Sequence, residues 1–375
     1  MKKIKLKTGY MTRIGRLERD YIDIIGRAAG AVLSKTDSGR ISDVYFSSFA
    51  PRELCGIADP CRTVANRLRA DFPDFRARIH GPYMTGGEAF YAALCENQPI
   101  RDNILLLAGE KMTHLGAGQA SLILSNRVNP HDRQYGASLP SLGALVARSY
   151  LSECRLPYRS FHAVAVKNHR NALLNPQAHF HKSIDETTVA LSPIVSEPLR
   201  RLHCAPTSDG AAAALIGPGS GDVTVEGWAR GMDTVLFHER ANLSRFPATR
   251  SASLAAYRQS NTQPADMDVV EIHDAFSPFE LINLEEMGFY DRGQAWRALD
   301  AGELDIGGRW AVNPSGGMKA RGHPIGMCGL SSIIEGFEQL TQAAGQRQHP
   351  GARLAMIQSA GGVSRESYIF ILGAA

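Results

Sequence analysis

The 375-residue chain has no run approaching 18 consecutive apolar residues, so a membrane-spanning helix is not expected. It lacks any C-x-x-C pair. Cys55, Cys61, Cys95, Cys154, Cys204 and Cys328 are scattered, which argues against a zinc knuckle or a thioredoxin-like redox motif. No metal is therefore assigned, and the six thiols read as reduced ones in a cytoplasmic protein. An excess of one charge is also missing. The formal net charge of +4 is too small for a basic nucleic-acid surface or an acidic disordered tail. The basic start, Met1-Lys2-Lys3-Ile4-Lys5-Leu6-Lys7, is followed by no apolar h-region, so no secretory signal is read there. Short-period repeats and low-complexity tracts are absent as well.

What is present is 44% hydrophobic residues against 21% charged, enough to bury a substantial core in two domains or one large α/β unit. Short apolar runs alternate with helical stretches, which predicts an α/β layered fold. Ile104–Ala108, Ala211–Ile216, Val269–Ile272, Leu354–Ile357 and Tyr368–Leu372 read as strands, the last two joined by a turn at Ser359–Gly362. Helices are expected over about Gly87–Glu96 and Leu142–Tyr150. Between about Leu115 and Leu199 the pattern turns irregular and rich in His, Asn, Arg and Pro, as in Asn129–Tyr135 and Val166–Phe180. That stretch reads either as an insertion over a cleft or as a plain surface subdomain. Pro218–Asp222 reads as a linker.

Three segments carry chemistry. In Tyr83-Met84-Thr85-Gly86-Gly87-Glu88-Ala89, two glycines before a helix permit a tight turn with free N–H groups, although many ordinary caps look the same. His273-Asp274 follows an apolar strand, where α/β folds place their ligands, although a lone His-Asp pair is often structural. Asn313–Gly329, NPSGGMKARGHPIGMCG, is the most specific. Its glycines and prolines exclude a regular helix or strand, and His323 is held between Gly322 and Pro324, so its imidazole can be aimed. A helix is expected to start near Cys328.

The order of these motifs resembles the thiolase superfamily, most closely its sterol-carrier-protein type. The similarity runs from Thr12–Gly15 through Ala108–Met112, Val164–Asn171, Cys204–Ala213 and Glu271–Phe276 to Asn313–Gly326. It implies a duplicated five-layer αβαβα core: an N-terminal half of residues 1–118 and 200–222, a loop domain of 119–199 and a C-terminal half of 223–375. It also implies a homodimer and a coenzyme A thioester, or a carrier-bound one, as substrate, with no other cofactor. Bacterial relatives of this type often pair with a small zinc-ribbon/OB-fold protein. Family roles carried onto this chain make Tyr83, His273, His323 and Asp274 the catalytic candidates. Asn168, His169, Gly361 and Gly362 become oxyanion or substrate-binding candidates, and Lys167, Arg170 and Lys319 candidates for the phosphates.

The chain departs from the family at two places. Tyr83 stands where the family has its nucleophilic cysteine, and Ala275 where the sterol-carrier type has its second cysteine. Cys328 occupies a small-residue position and reads as packing. A phenol titrates near ~10 against ~8.5 for a thiol and is the poorer nucleophile toward a thioester. Two functions follow. One is C–C bond making or breaking beside a thioester carbonyl without an acyl-cysteine, with Tyr83 as acid or base if His323 lowers its pKa. The other is a catalytically silent subunit that binds acyl-CoA or a catalytic partner.

Overall fold

The apolar runs become strands covered on both faces, and the order of these strands contains a duplication. The structure is a computed structural model that describes residues 3–35, 40–126 and 128–375. The first two residues of the basic N-terminal run lie outside them. The strands are β1 (Lys5–Met11), β2 (Ile41–Ser47), β3 (Arg78–Tyr83), β4 (Asn103–Glu110), a small hairpin of β5 (Ile194–Ser196) and β6 (Leu199–Arg200), β7 (Gly210–Gly217), β8 (Val223–Met232), β9 (Val269–Glu271), β10 (Ala311–Val312), β11 (Leu354–Gly361) and β12 (Glu366–Ala374). All but the hairpin form one sheet in the order β10-β9-β11-β12-β8-β1-β7-β4-β2-β3.

The contact between β8 and β1 is only two residue pairs long, Lys5 with Thr224 and Leu6 with Val223. Divided there, the sheet reads β1-β7-β4-β2-β3 on one side and β8-β12-β11-β9-β10 on the other. In both halves the first two pairings are antiparallel and the last two parallel. The same five-stranded unit therefore occurs twice, and the two copies meet edge to edge.

Strand β4 shows how the layers arise. Ile104, Leu106 and Ala108 face a central core with Phe90, Ile333 and Ile334, while Leu105 and Leu107 face an outer core with Ile25, Ala28 and Val64. A strand buried on both faces has no polar side, which is why its sequence is a continuous apolar run. The central layer holds two helices, Gly86–Glu96 and Leu330–Leu340. A Cβ on Gly86 would lie 2.5 Å from Cβ of Leu330, and one on Gly87 would lie 2.3 Å from Cβ of Ser359. The Gly87 N–H donates to the Cys328 carbonyl at 3.1 Å. These glycines thus serve close packing of the two halves, and this N–H is not free as the sequence suggested.

Other departures have local causes. Val166–Leu173, expected to be irregular, lies in the helix Arg159–Leu173, which turns Lys167, Asn168, His169 and Asn171 inward. A helix that buries polar residues hides its apolar periodicity. β11 runs through Gly361, so the turn expected at 359–362 falls after it. The helix expected near Cys328 begins at Leu330. Among the described residues, no helix is long and apolar enough to cross a membrane.

Candidate functional site

The segments after β9 and β11, the Gly-His-Pro loop and the start of the first central helix meet at a cavity of about 290 Å³. Apolar side chains dominate its wall, among them Phe49, Met84, Met112, Leu124, Phe276 and Phe279. His273, His323, Gly361 and Gly362 also line it, as does Ala275. Four of the eight predicted site residues therefore share one cavity.

His273 leaves the end of β9, and its backbone N–H donates to Oε1 of Gln358 at 3.2 Å. His323 follows Gly322, whose φ of +113° favours glycine and where a Cβ would lie 2.5 Å from Cγ2 of Ile14. Its backbone N–H donates to Ser208 Oγ at 3.2 Å. The rings meet edge to face, with centroids 5.3 Å apart at 84°.

Their protonation follows from their partners. Nδ1 of His273 accepts the Ala360 N–H at 3.4 Å, so the neutral ring carries its proton on Nε2. Nδ1 of His323 lies 2.8 Å from Sγ of Cys328. Burial pushes that thiol up, keeping it protonated, and its S–H is also within reach of the Pro324 carbonyl at 3.4 Å. Burial and the Arg321 charge lower His323 to about 4, and burial with His323 and Arg321 holds His273 well below the ordinary value. At neutral pH two uncharged imidazoles thus line one cavity. Such a pair can stabilise a negative oxygen without itself carrying charge.

The remaining predicted residues lie elsewhere. Asp274 is buried and accepts the Met318 N–H at 2.6 Å and an Asn168 Nδ2 hydrogen at 2.7 Å. Burial and Glu280 raise it to about 7. It anchors the single π turn Gly317–Arg321 that precedes the Gly-His-Pro loop, and it is not a cavity residue. Asn168 also donates to Glu280 at 2.8 Å, and Lys167 pairs with Glu280 at 3.1 Å. His169 is buried between the Lys182 carbonyl and Nζ of Lys319, and burial with Lys319 lowers it to about 4. Lys319 is itself buried, which lowers it to about 8. Lys167 and Lys319 are therefore structural cations, unavailable to a phosphate, and Arg170 at the surface pairs with Asp305.

Tyr83 is not brought to the histidines. Its ring stacks on Tyr45 at 5.8 Å and 17°, and burial with Glu96 and Glu88 raises its pKa to about 12. The lowering by His323 that a catalytic phenol would require does not occur, because the charges acting on Tyr83 are those of Glu96 and Glu88. Met84 and Thr85 line the cavity in its place. Sequence reading also missed the Cys328–His323 contact and the role of Glu110. The Glu110 carboxylate accepts N–H bonds from Phe49 at 2.7 Å and Gly326 at 2.9 Å, bracing the Gly-His-Pro loop against β4. Its signal was the charged Glu110-Lys111 pair closing an apolar strand.

Relatives decide the family. The acetyl-CoA acetyltransferase of Methanothermobacter thermautotrophicus is 34% identical over 302 residues, 78% of this chain and 79% of that protein. That of Methanocaldococcus jannaschii is 31% identical, covering 89% of each. This chain belongs to the thiolase superfamily. Residues 229–374 match the family described as thiolase C-terminal domain-like. Human sterol carrier protein 2 is 32% identical over 70% of this thiolase-superfamily chain, which spans about half (52%) of that longer protein. Among solved structures, the Ltp2-ChsH2(DUF35) aldolase superposes with a TM-score of 0.81 at 21% identity, covering 99% of this chain and 98% of that one. Human mitochondrial 3-ketoacyl-CoA thiolase superposes with a TM-score of 0.73 at 15% identity, covering 100% and 99%.

Proposed function

We propose that this chain acts on acyl thioesters of coenzyme A, or on carrier-bound ones, and makes or breaks a C–C bond beside the thioester carbonyl without an acyl-cysteine. The observation that carries this reading is the pair of uncharged imidazoles, His273 and His323, at an apolar cavity, and in it both act as Nε2–H donors. Claisen and retro-aldol reactions both pass through a thioester enolate, whose oxygen two preorganised donors stabilise in a water-poor site. The apolar wall suits the acyl chain.

The absence of a covalent step rests on three positions. Tyr83 and Ala275 stand where the family's two cysteines are expected. The cavity's own thiol, Cys204, is raised to about 12 by burial, so it carries almost no thiolate at neutral pH. The acetyl-CoA acetyltransferase relatives support acyl-CoA as the substrate class, and the likeness to an aldolase assembled from two proteins supports a partner. The homodimer and a small zinc-ribbon/OB-fold partner remain parts of this reading. The displacement of Tyr83 from the cavity favours a second one, the silent subunit that only binds acyl-CoA or a catalytic partner.

One experiment separates them. The protein is incubated in D₂O with acetyl-CoA and with a longer acyl-CoA, and deuterium at the carbon beside the carbonyl is followed by mass spectrometry. Exchange that disappears in His273→Ala and in His323→Ala supports the enolate reading. Exchange in neither the wild type nor its partner complex overturns it in favour of the silent subunit.

A further inference from the structure

Away from the cavity, Asn129–Tyr135 forms a feature that acyl-thioester chemistry does not use. We infer that His131, Asp132 and His238 form a site for one zinc-class divalent ion. That ion clamps the segment carrying part of the cavity wall to the C-terminal half. One ligand atom from each residue lies within 4.8 Å of the other two. Oδ1 of Asp132 is 3.1 Å from Nδ1 of His238, and the imidazole rings of His131 and His238 have centroids 4.6 Å apart.

Two imidazoles and a carboxylate suit a borderline ion such as zinc. With zinc–ligand bonds of about 2.0–2.1 Å, tetrahedral neighbours sit about 3.3 Å apart. The Asp132–His238 pair already has nearly that spacing. Both histidines are exposed, so their rings can close on an ion by side-chain rotation, leaving the fourth position to water. Asp132 is the least exposed of the three, and its second oxygen accepts the Phe237 N–H at 3.3 Å, which orients the carboxylate. His131 packs edge-on against Tyr135, with ring centroids 5.6 Å apart, which keeps its imidazole beside that of His238.

The placement gives the ion a purpose. His131 and Asp132 lie in the short helix Pro130–Arg133, between the helices Ala117–Ser125 and Leu139–Cys154. Those two helices contribute Leu124 and Leu139 to the cavity wall. His238 comes from the turn Phe237–Glu239, beyond β8. Coordination joins the two across more than 100 residues of chain.

The test uses the full-length chain stripped of metal with a chelator. Calorimetric titration with zinc chloride is expected to show one ion per chain, weakened at least about tenfold by His131→Ala or His238→Ala. Cobalt(II) bound in its place should give tetrahedral visible bands without a thiolate charge-transfer band. Zinc should also slow proteolysis within residues 117–139 in the wild type and not in His238→Ala. If either alanine variant is misfolded by circular dichroism, Asp132→Asn replaces it. No zinc binding by folded protein, or binding indifferent to all three substitutions, overturns the site. Binding at the site without proteolytic protection overturns the clamp.

Discussion

The backbone N–H of Ala360 donates to Nδ1 of His273 across 3.4 Å, so the strand β11 fixes which nitrogen of the neutral histidine carries the proton. Removing either donor should lower turnover of an acyl-CoA by roughly 10²–10³-fold with little change in KM, because the bond strengthens only as charge develops on the carbonyl oxygen. Steady-state rates of His273→Ala and His323→Ala check this. The sign of the pH dependence follows from burial. His323 is lowered to about 4, so it stays neutral across pH 5–7, and the rate should show no histidine limb near 6.5. A limb near 6.5 that vanishes in His323→Ala would place a charged imidazole at the reacting oxygen instead.

Tyr83→Phe should leave turnover within about threefold of wild type, since the hydroxyl sits by Glu96 and only the stacked ring is structural. A loss beyond tenfold with unchanged thermal stability returns the phenol to the reaction.

What the sequence disclosed and what it hid divide along physical lines. The buried strands were legible because Ile104–Ala108 and Tyr368–Leu372 are apolar on both faces, and only strands inside a layered fold need that. The histidine loop was legible because Gly322 and Pro324 leave the backbone at His323 little freedom. Side-chain direction was not. Tyr83 inherits its expected role from its place in a motif, yet one residue along a strand end decides between the cavity and the Tyr45 stack. Asn168, His169 and Asp274 look like ligand-binding groups in sequence. In the fold Asn168 and Asp274 bond each other, and His169 bonds the Lys182 carbonyl and Nζ of Lys319, contacts that only the tertiary structure reveals.

The thiols give a direct check on the absence of a covalent step. Burial raises Cys204 to about 12 and pushes Cys328 up as well, whereas Cys95 is exposed. Iodoacetamide at pH 7.5 should therefore label Cys95 well before either of the others, and intact-protein mass spectrometry with excess acetyl-CoA should show no acyl adduct. A stoichiometric adduct on Cys204 or Cys328 would falsify the non-covalent mechanism.

The packing of the two halves can be tested through one contact. A Cβ on Gly87 would meet Cβ of Ser359 at 2.3 Å, so Gly87→Ala should destabilise the protein by about 1–3 kcal/mol through overpacking. Ser359→Gly removes the opposing atom. The double variant should recover much of the loss, giving a coupling of about 1 kcal/mol or more in urea unfolding. Additive penalties would mean that the strain arises elsewhere in the helix start.

Acid stability follows from histidines buried in the neutral form. His203 is fully buried, stacked on His162 at 5.1 Å, and burial with the nearby cations lowers it to about 3. Its unfolded value is about 6.5, so below that pH the unfolded chain binds a proton that the folded chain refuses. The residue therefore costs the native state about 1.4 kcal/mol per pH unit from about 6.5 downward. In His203→Gln that penalty is gone. Between pH 7 and pH 5 the difference in unfolding free energy should move by about 2 kcal/mol in favour of the variant, whatever its absolute stability. Urea titrations of both proteins at the two pH values check it, and an unchanged difference would mean that His203 takes up its proton in the folded state.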